Sequence, residues 1–179
     1  MVEAGGLRLL ARRGGDGPTV VLLHGHPRTS STWHRVAPLL VAQRRTVICL
    51  DLPGYGRSDK PAPQPDHRRI PNGSAPATSS PRCRTSVTMS STYRAGLTID
   101  YADELADRQS ARRVRQPLMV LWSTLDDLED LYGDPLGIWR SWADHVFGHG
   151  IRSPHHIAEH APDELAAALG VFLNGDRAN

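Results

Sequence analysis

The residues with the most evident chemical use are His24-Gly25-His26-Pro27, directly after the apolar run Val20-Val21-Leu22-Leu23. That run is too short for a helix and rich in β-branched residues, as a strand buried on both faces should be. A tight turn at the C-terminal end of a parallel strand is where open α/β sheets bind ligands, and Gly25 lets the backbone approach one closely. Gly25 and Pro27 also suit a plain turn, so the residue types alone leave both readings open. A second group, His149, His155, His156 and His160, gathers near the C-terminal end. Imidazole serves proton transfer near neutrality or metal ligation. No carboxylate or thiolate stands at a convincing ligand spacing from these histidines, so no metal site is read here. Asp126, Asp127, Glu129 and Asp130 follow the run Leu118-Met119-Val120-Leu121-Trp122; on residue types they are a helix cap or a solvated acidic turn.

The elements that must position these groups come from periodicity. Thr46-Val47-Ile48-Cys49-Leu50 is a second apolar run, and residues 31–43 between the two runs carry Trp33, Val36, Ala37, Leu40 and Val41 at helical spacing, with Ser30, Ser31 or Thr32 as N-cap. Strand, helix and strand make a βαβ unit. Residues 1–18 read as a short β-ribbon, 100–116 as a charged helix ended by Gln116-Pro117, and 118–122 as a third buried strand. The spacing predicts that 19–23, 46–50 and 118–122 lie parallel in one sheet. Pro135 opens an amphipathic helix within 132–146, with Trp139 and Trp142 on its apolar stripe, and a last helix covers 162–173. Across 64–91 Pro, Ser, Arg and Thr dominate without periodicity, which predicts a mobile linker.

Composition narrows the function classes. A chain of 179 residues predicts one domain with a real core, although 14 Pro and 16 Gly predict that part of it is irregular. A formal net charge of +2 gives no reason to invoke nucleic acid or a membrane surface. No apolar stretch approaches the length of about 18 residues that would suggest a membrane span, and no signal peptide is read. Cys49 lies in a strand and Cys83 in the polar stretch, so the expectation is two free thiols in a reducing cytoplasm.

His24-Gly25-His26-Pro27 after a buried strand, with Asp51-Leu52-Pro53-Gly54-Tyr55-Gly56-Arg57-Ser58 further on, resembles the α/β-hydrolase family. The form of the first motif, and Lys60-Pro61 after Ser58-Asp59, are similar to its epoxide hydrolase and haloacetate (fluoroacetate-type) dehalogenase branch. The likeness resumes at Tyr93-Arg94-Ala95-Gly96-Leu97-Thr98-Ile99-Asp100-Tyr101, similar to the end of the dehalogenase cap, and at Ser153-Pro154-His155-His156, similar to the family's histidine turn. The resemblance implies a partial α/β-hydrolase fold, a mostly parallel sheet with helices on both faces. Residues 1–63 and 117–179 would form its core, 64–91 a linker and 92–116 a cap remnant. It further implies an oxyanion and substrate loop at His24, Gly25, His26 and Pro27, with an N–H from His26. His155 would be the general base that activates water against an ester intermediate. Asp126 falls where many relatives carry the acid that orients the base, and remains equally readable as a cap. Pro154 replaces the family's Gly, His156 an aromatic, and Ser123 a Gly.

The sequence contains no G-x-S-x-G and no G-x-D-x-G, and no apolar strand leads into a Gly-flanked Ser, Asp or Cys. The resemblance therefore implies an internal deletion of the nucleophile elbow and most of the cap. Two functions are expected from this. One is a hydrolase acting on a small carbon-halogen, epoxide or ester substrate; the other is an inactive hydrolase remnant or a small-molecule or protein binding module. No cofactor is expected, and a homo-oligomer through an exposed sheet edge is.

Overall fold

A computed structural model describes residues 1–61 and 99–175. The chain opens with a hairpin, β1 (Val2–Ala4) against β2 (Leu7–Leu9). Its turn uses Gly5 and Gly6, both at positive φ (58° and 75°), a conformation a side chain disfavours. β3 (Ala11–Gly14) then pairs antiparallel with β5 (Thr46–Leu50), and β4 (Thr19–Leu23) pairs parallel with β5 on its other side, Thr19 opposite Thr46 and Leu23 opposite Leu50. The three-stranded order β3-β5-β4 contains the expected βαβ unit.

The helix between those strands is shorter than periodicity suggested. A 3-10 turn at Ser30–Trp33 precedes α1 (Val36–Ala42). Pro38 explains the division: in a helix continuous from 31 it would lack the N–H owed to His34 and clash with that carbonyl, whereas in the first turn of α1 its missing N–H costs nothing. The cap is Thr29, whose hydroxyl accepts the Ser31 N–H, not Ser30, Ser31 or Thr32.

The second half contains α2 (Ile99–Gln109), β6 (Leu118–Ser123), α3 (Leu128–Tyr132), α4 (Pro135–Arg140), β7 (Val146–Ile151), α5 (Ile157–His160) and α6 (Pro162–Leu173). α2 stops well short of 116. Ser110 donates its hydroxyl to the Ala106 carbonyl, Ala111 turns to φ 50°, and the Arg112 N–H closes back on the Asp107 carbonyl. Arg113, within the stretch read as a charged helix, instead donates to the carbonyls of Arg140, Ser141 and Ala143 and pairs with Asp144, covering the C-terminal end of α4. The N-terminal end of α4 is set as the sequence suggested, with Asp134 accepting the Leu136 N–H and Pro135 in the first turn. Trp139 is 45% exposed rather than core, and Trp142 packs under the Arg108 guanidinium.

The expectation of one sheet containing 19–23, 46–50 and 118–122 is corrected. β6 pairs with β7, Leu118 opposite Val146 and Ser123 opposite Ile151, in a parallel ladder separate from β3-β5-β4, so Val120 and Val21 lie in different sheets. Strands join a ladder only when about 4.8 Å apart, and no apolar run between Leu50 and Leu118 offers a strand to bridge the two. The reading of β4 as buried on both faces is corrected with it: Leu22 is buried, but Val21 and Leu23 are 51% and 53% exposed.

What joins the halves is the layer beneath the sheets. Leu22, Val36, Leu40, Val47 and Cys49 from the first half pack with Ile151, Ala158, Leu165 and Ala166 from the second. Each fully buried aliphatic side chain contributes about 1.5–3 kcal/mol; Val36, Leu40 and Ile151 are completely inaccessible. Gln43 donates to the Ala166 carbonyl at 3.1 Å, and Arg45 donates to the Asn174 side chain, tying α1 and its C-terminal end to α6. The expected linker at 64–91, Cys83 and residues 92–98 of the expected cap remnant lie outside the described residues. Among the described residues no helix is long and apolar enough to cross a membrane.

Candidate active site

The loop after β4 is held by its own first histidine. His24 is 4% exposed; its Nδ1 lies 3.0 Å from the Gly25 carbonyl, and its Nε2 accepts the Leu52 N–H at 3.0 Å. The carbonyl needs a donor and the amide an acceptor, so the proton is on Nδ1. Both ring nitrogens are thus used in tying the end of β4 to the end of β5, and neither remains for a substrate. Arg28 closes the turn with an N–H to the Gly25 carbonyl, and the His26-Pro27 peptide is cis. A Cβ placed on Gly25 would meet nothing within 4 Å, so the space beside this backbone is open. The rings of His24 and His26 lie 5.1 and 6.2 Å from that of Tyr55.

The second motif is a scaffold built on Asp51, a residue whose role the sequence reading did not identify. Its carboxylate, on a residue 2% exposed, accepts the Ser30 N–H at 2.8 Å and the Arg57 N–H at 2.9 Å. Burial pushes its pKa up, but hydrogen bonds from the Ser30 side chain and from the Arg57 and Ser30 amides more than cancel this, leaving it below the ordinary value. Gly56 is required by that carboxylate: at φ 49°, a Cβ there would sit 2.0 Å from Asp51 Oδ2. Ser58 donates its hydroxyl to the Asp51 carbonyl and accepts the Leu10 N–H, while Asp59 accepts the Arg8 N–H. The available signal was an Asp followed by Gly-x-Gly after a buried strand, a turn that leaves room for a carboxylate to be wrapped in amides.

Asp126 and His155 come from loops at the C-terminal ends of β6 and β7. Asp126 Oδ2 lies 2.5 Å from His155 Nδ1. The loops are brought together by Ser123, whose hydroxyl donates to the Ser153 carbonyl, and by the Thr124 N–H on the Ile151 carbonyl. Two glycines let β6 and β7 approach. A Cβ at Gly148 would stand 1.8 Å from the Val120 carbonyl oxygen, and one at Gly150 would stand 2.3 Å from Thr124 Cγ2. The His155 bond, followed by the Asp127 amide, holds the Asp126 carboxyl below the usual range. The side chains are 72% exposed for His155 and 30% for Asp126. Pro154 does not keep the ring from its carboxylate. The His156 ring stands edge-on to that of His155 at 4.9 Å, its pKa lowered by desolvation and by the Arg28 and His155 charges.

Glu159, unassigned by the sequence, links the two loops. Its carboxylate accepts the Thr32 hydroxyl at 2.9 Å and lies 3.0 Å from Arg28 Nε, and its carbonyl accepts from Arg35. The turn after His24 is thereby fastened to α5, two residues beyond His155.

A family model for the alpha/beta hydrolase fold matches residues 18–138. Among known proteins, a fluoroacetate dehalogenase from Burkholderia sp is 49% identical over 67 residues, which cover 37% of this chain and 22% of that protein. An epoxide hydrolase from Caballeronia sordidicola is 38% identical over 61 residues, 34% of this chain and 18% of that protein. The matched stretches thus span about a fifth of these relatives' lengths. A structure from Nostoc sp PCC 7120, solved as a candidate α/β hydrolase, superposes with a TM-score of 0.82 at 20% identity over 96% of each chain, a likeness of fold. With both strand-end loops in place and the family model matching most of its length, this chain belongs to the α/β hydrolase family and is related to dehalogenases and epoxide hydrolases.

Proposed function

We propose that the chain carries the water-activating half of a hydrolytic site of the haloacetate dehalogenase and epoxide hydrolase kind, and that it does not turn over alone. The observation that carries the first part is the 2.5 Å contact between Asp126 Oδ2 and His155 Nδ1. With the proton on Nδ1 and donated to the carboxylate, His155 Nε2 presents a lone pair, and the ionised Asp126 stabilises the ring once it is charged. In the chemistry this suits, a carboxylate nucleophile attacks the substrate carbon and forms an ester with it, either expelling halide or breaking the epoxide C–O bond to leave a hydroxyl once its oxygen is protonated. Water then gives a proton to Nε2 as its oxygen adds to the ester carbonyl; the departing oxygen takes the proton back. The amides of the turn at Gly25, His26 and Pro27's neighbour Arg28 lie on the loop that would face the oxyanion, although the Arg28 N–H is already committed to the Gly25 carbonyl.

The second part rests on the missing elbow. Without a placed nucleophile no ester forms, and a catalytic set that acts as a unit loses nearly all its chemistry when one member is removed. An inactive hydrolase-derived module is the reading for the isolated chain. Two measurements test the pair of claims. Nitrogen-15 NMR of His155 should show the Nδ1–H tautomer, lost in Asp126→Asn; an Nε2–H ring, or one indifferent to the substitution, would sink the base assignment. Fluoroacetate, chloroacetate, simple epoxides and p-nitrophenyl esters should be hydrolysed only at background, and turnover abolished by His155→Ala would overturn the claim of inactivity.

A further inference from the structure

Strand register places Arg12 opposite Cys49, and Cys49 opposite Leu22, so these three side chains share one face of the β3-β5-β4 sheet. Gly14, Val47 and Val20 form the next row on that face. α1 covers the face over β4 and β5 through Val36 and Leu40. The flank over β3 is left open, because Gly14 offers no side chain; a Cβ there would touch only Val41 Cγ2, at 3.7 Å. The result is a cavity of about 490 Å³, with Trp33, Ala37, Pro38 and Val41 as one wall, Val47 and Cys49 as its floor and Arg12 on its rim. That volume lies within the range of about 300–1,000 Å³ usual for small-molecule sites. None of residues 24–27, Asp126 and His155 lines it.

The Arg12 guanidinium has no acidic partner among the described residues, yet is near enough to act on the Cys49 thiol. Burial pushes that thiol up despite Arg12, so it stays protonated and serves as apolar floor, not as a nucleophile. An apolar chamber with the unpaired Arg12 at its mouth, and Arg13 also in its lining, calls for a ligand with an apolar body and a single anionic end.

We propose that this cavity binds a small amphipathic carboxylate, its carboxylate on Arg12 and its apolar body between α1 and the β3-β5 face. Octanoate is the probe, followed by calorimetric titration and by the rate of Cys49 alkylation in a Cys83→Ser background. One octanoate per chain should bind and slow alkylation at least fivefold. Arg12→Gln, at an exposed position that leaves the core intact, should weaken binding about tenfold, Gly14→Leu should fill the cavity and abolish it, and octylammonium should not compete. Binding should survive His155→Ala. The proposal is overturned if octanoate fails to bind, if Arg12→Gln binds as well as the parent, if octylammonium competes, or if His155→Ala removes binding, which would put the ligand in the hydrolytic site.

Discussion

Asp51 and Asp126 follow the C-terminal ends of two parallel strands, and both have carboxyls held below the ordinary range by hydrogen bonds. Their surroundings are opposite. Asp51 is sealed from water and clasped by backbone amides from two loops, whereas Asp126 is half-buried and bound to an imidazole that is itself mostly exposed. A carboxylate wrapped by amides and a hydroxyl fixes the shape of the chain and is spent in doing so. A carboxylate that takes an imidazole N–H directs a group whose other nitrogen still faces outward. The same side chain therefore builds the scaffold in one half and, in the function proposed above, aims the base in the other.

That contrast is broken most forcefully at Asp51. Asp51→Ala leaves the Ser30 and Arg57 amides without their acceptor and should destabilise the chain by about 3 kcal/mol, read from the urea midpoint; a change below about 0.5 kcal/mol would mean that the loops hold without it. Gly148→Ala should cost somewhat less, about 2 kcal/mol, by forcing β6 from β7, and should also remove the Asp126–His155 contact from NMR spectra; an intact contact would show that the ladder does not position the pair.

The acid limb sharpens the comparison. A depressed Asp51 contributes stability that is fully present above the unfolded carboxylate pKa of about 3.9 and is lost as pH falls through the lower folded value. Asp51→Asn should flatten the stability profile below about pH 4, and an unchanged acid slope would assign the loss to other carboxylates. The smallest effect belongs to Asp126→Asn, which should leave the thermal midpoint where it was, because its partner His155 is mostly exposed and the bond is open to water. A clear drop in that midpoint would make Asp126 part of the scaffold after all.

Local order was legible in the residues, and partnership was not. The apolar runs at 19–23, 46–50 and 118–122, and the helix at 162–173, are visible because periodicity and turn residues act over a few positions. Even the division of the helix before α1 was written in Pro38. The split between β3-β5-β4 and β6-β7 was not readable, since a strand's composition says how much of it can be buried and not which strand lies beside it. Trp139 sits on an apolar stripe that faces partly outward, a matter of packing that the stripe does not record. At the candidate site, Asp126 and His155 were brought forward by resemblance, and their contact depends on a ladder joining segments far apart in sequence. Asp51 and Glu159 escaped notice because each takes its role from amides, hydroxyls and cations supplied by other loops.

The bonds from Arg28, Thr32 and Arg35 to Glu159, and from Gln43 and Arg45 to α6, fasten the first third of the chain to the last without passing through the residues between. In evolutionary terms, a substitution on one side of this clasp is constrained by the residues on the other side. The same arrangement makes the protein a natural split reporter: two separately expressed pieces, cut between 61 and 99, would each carry one side of a ready-made interface.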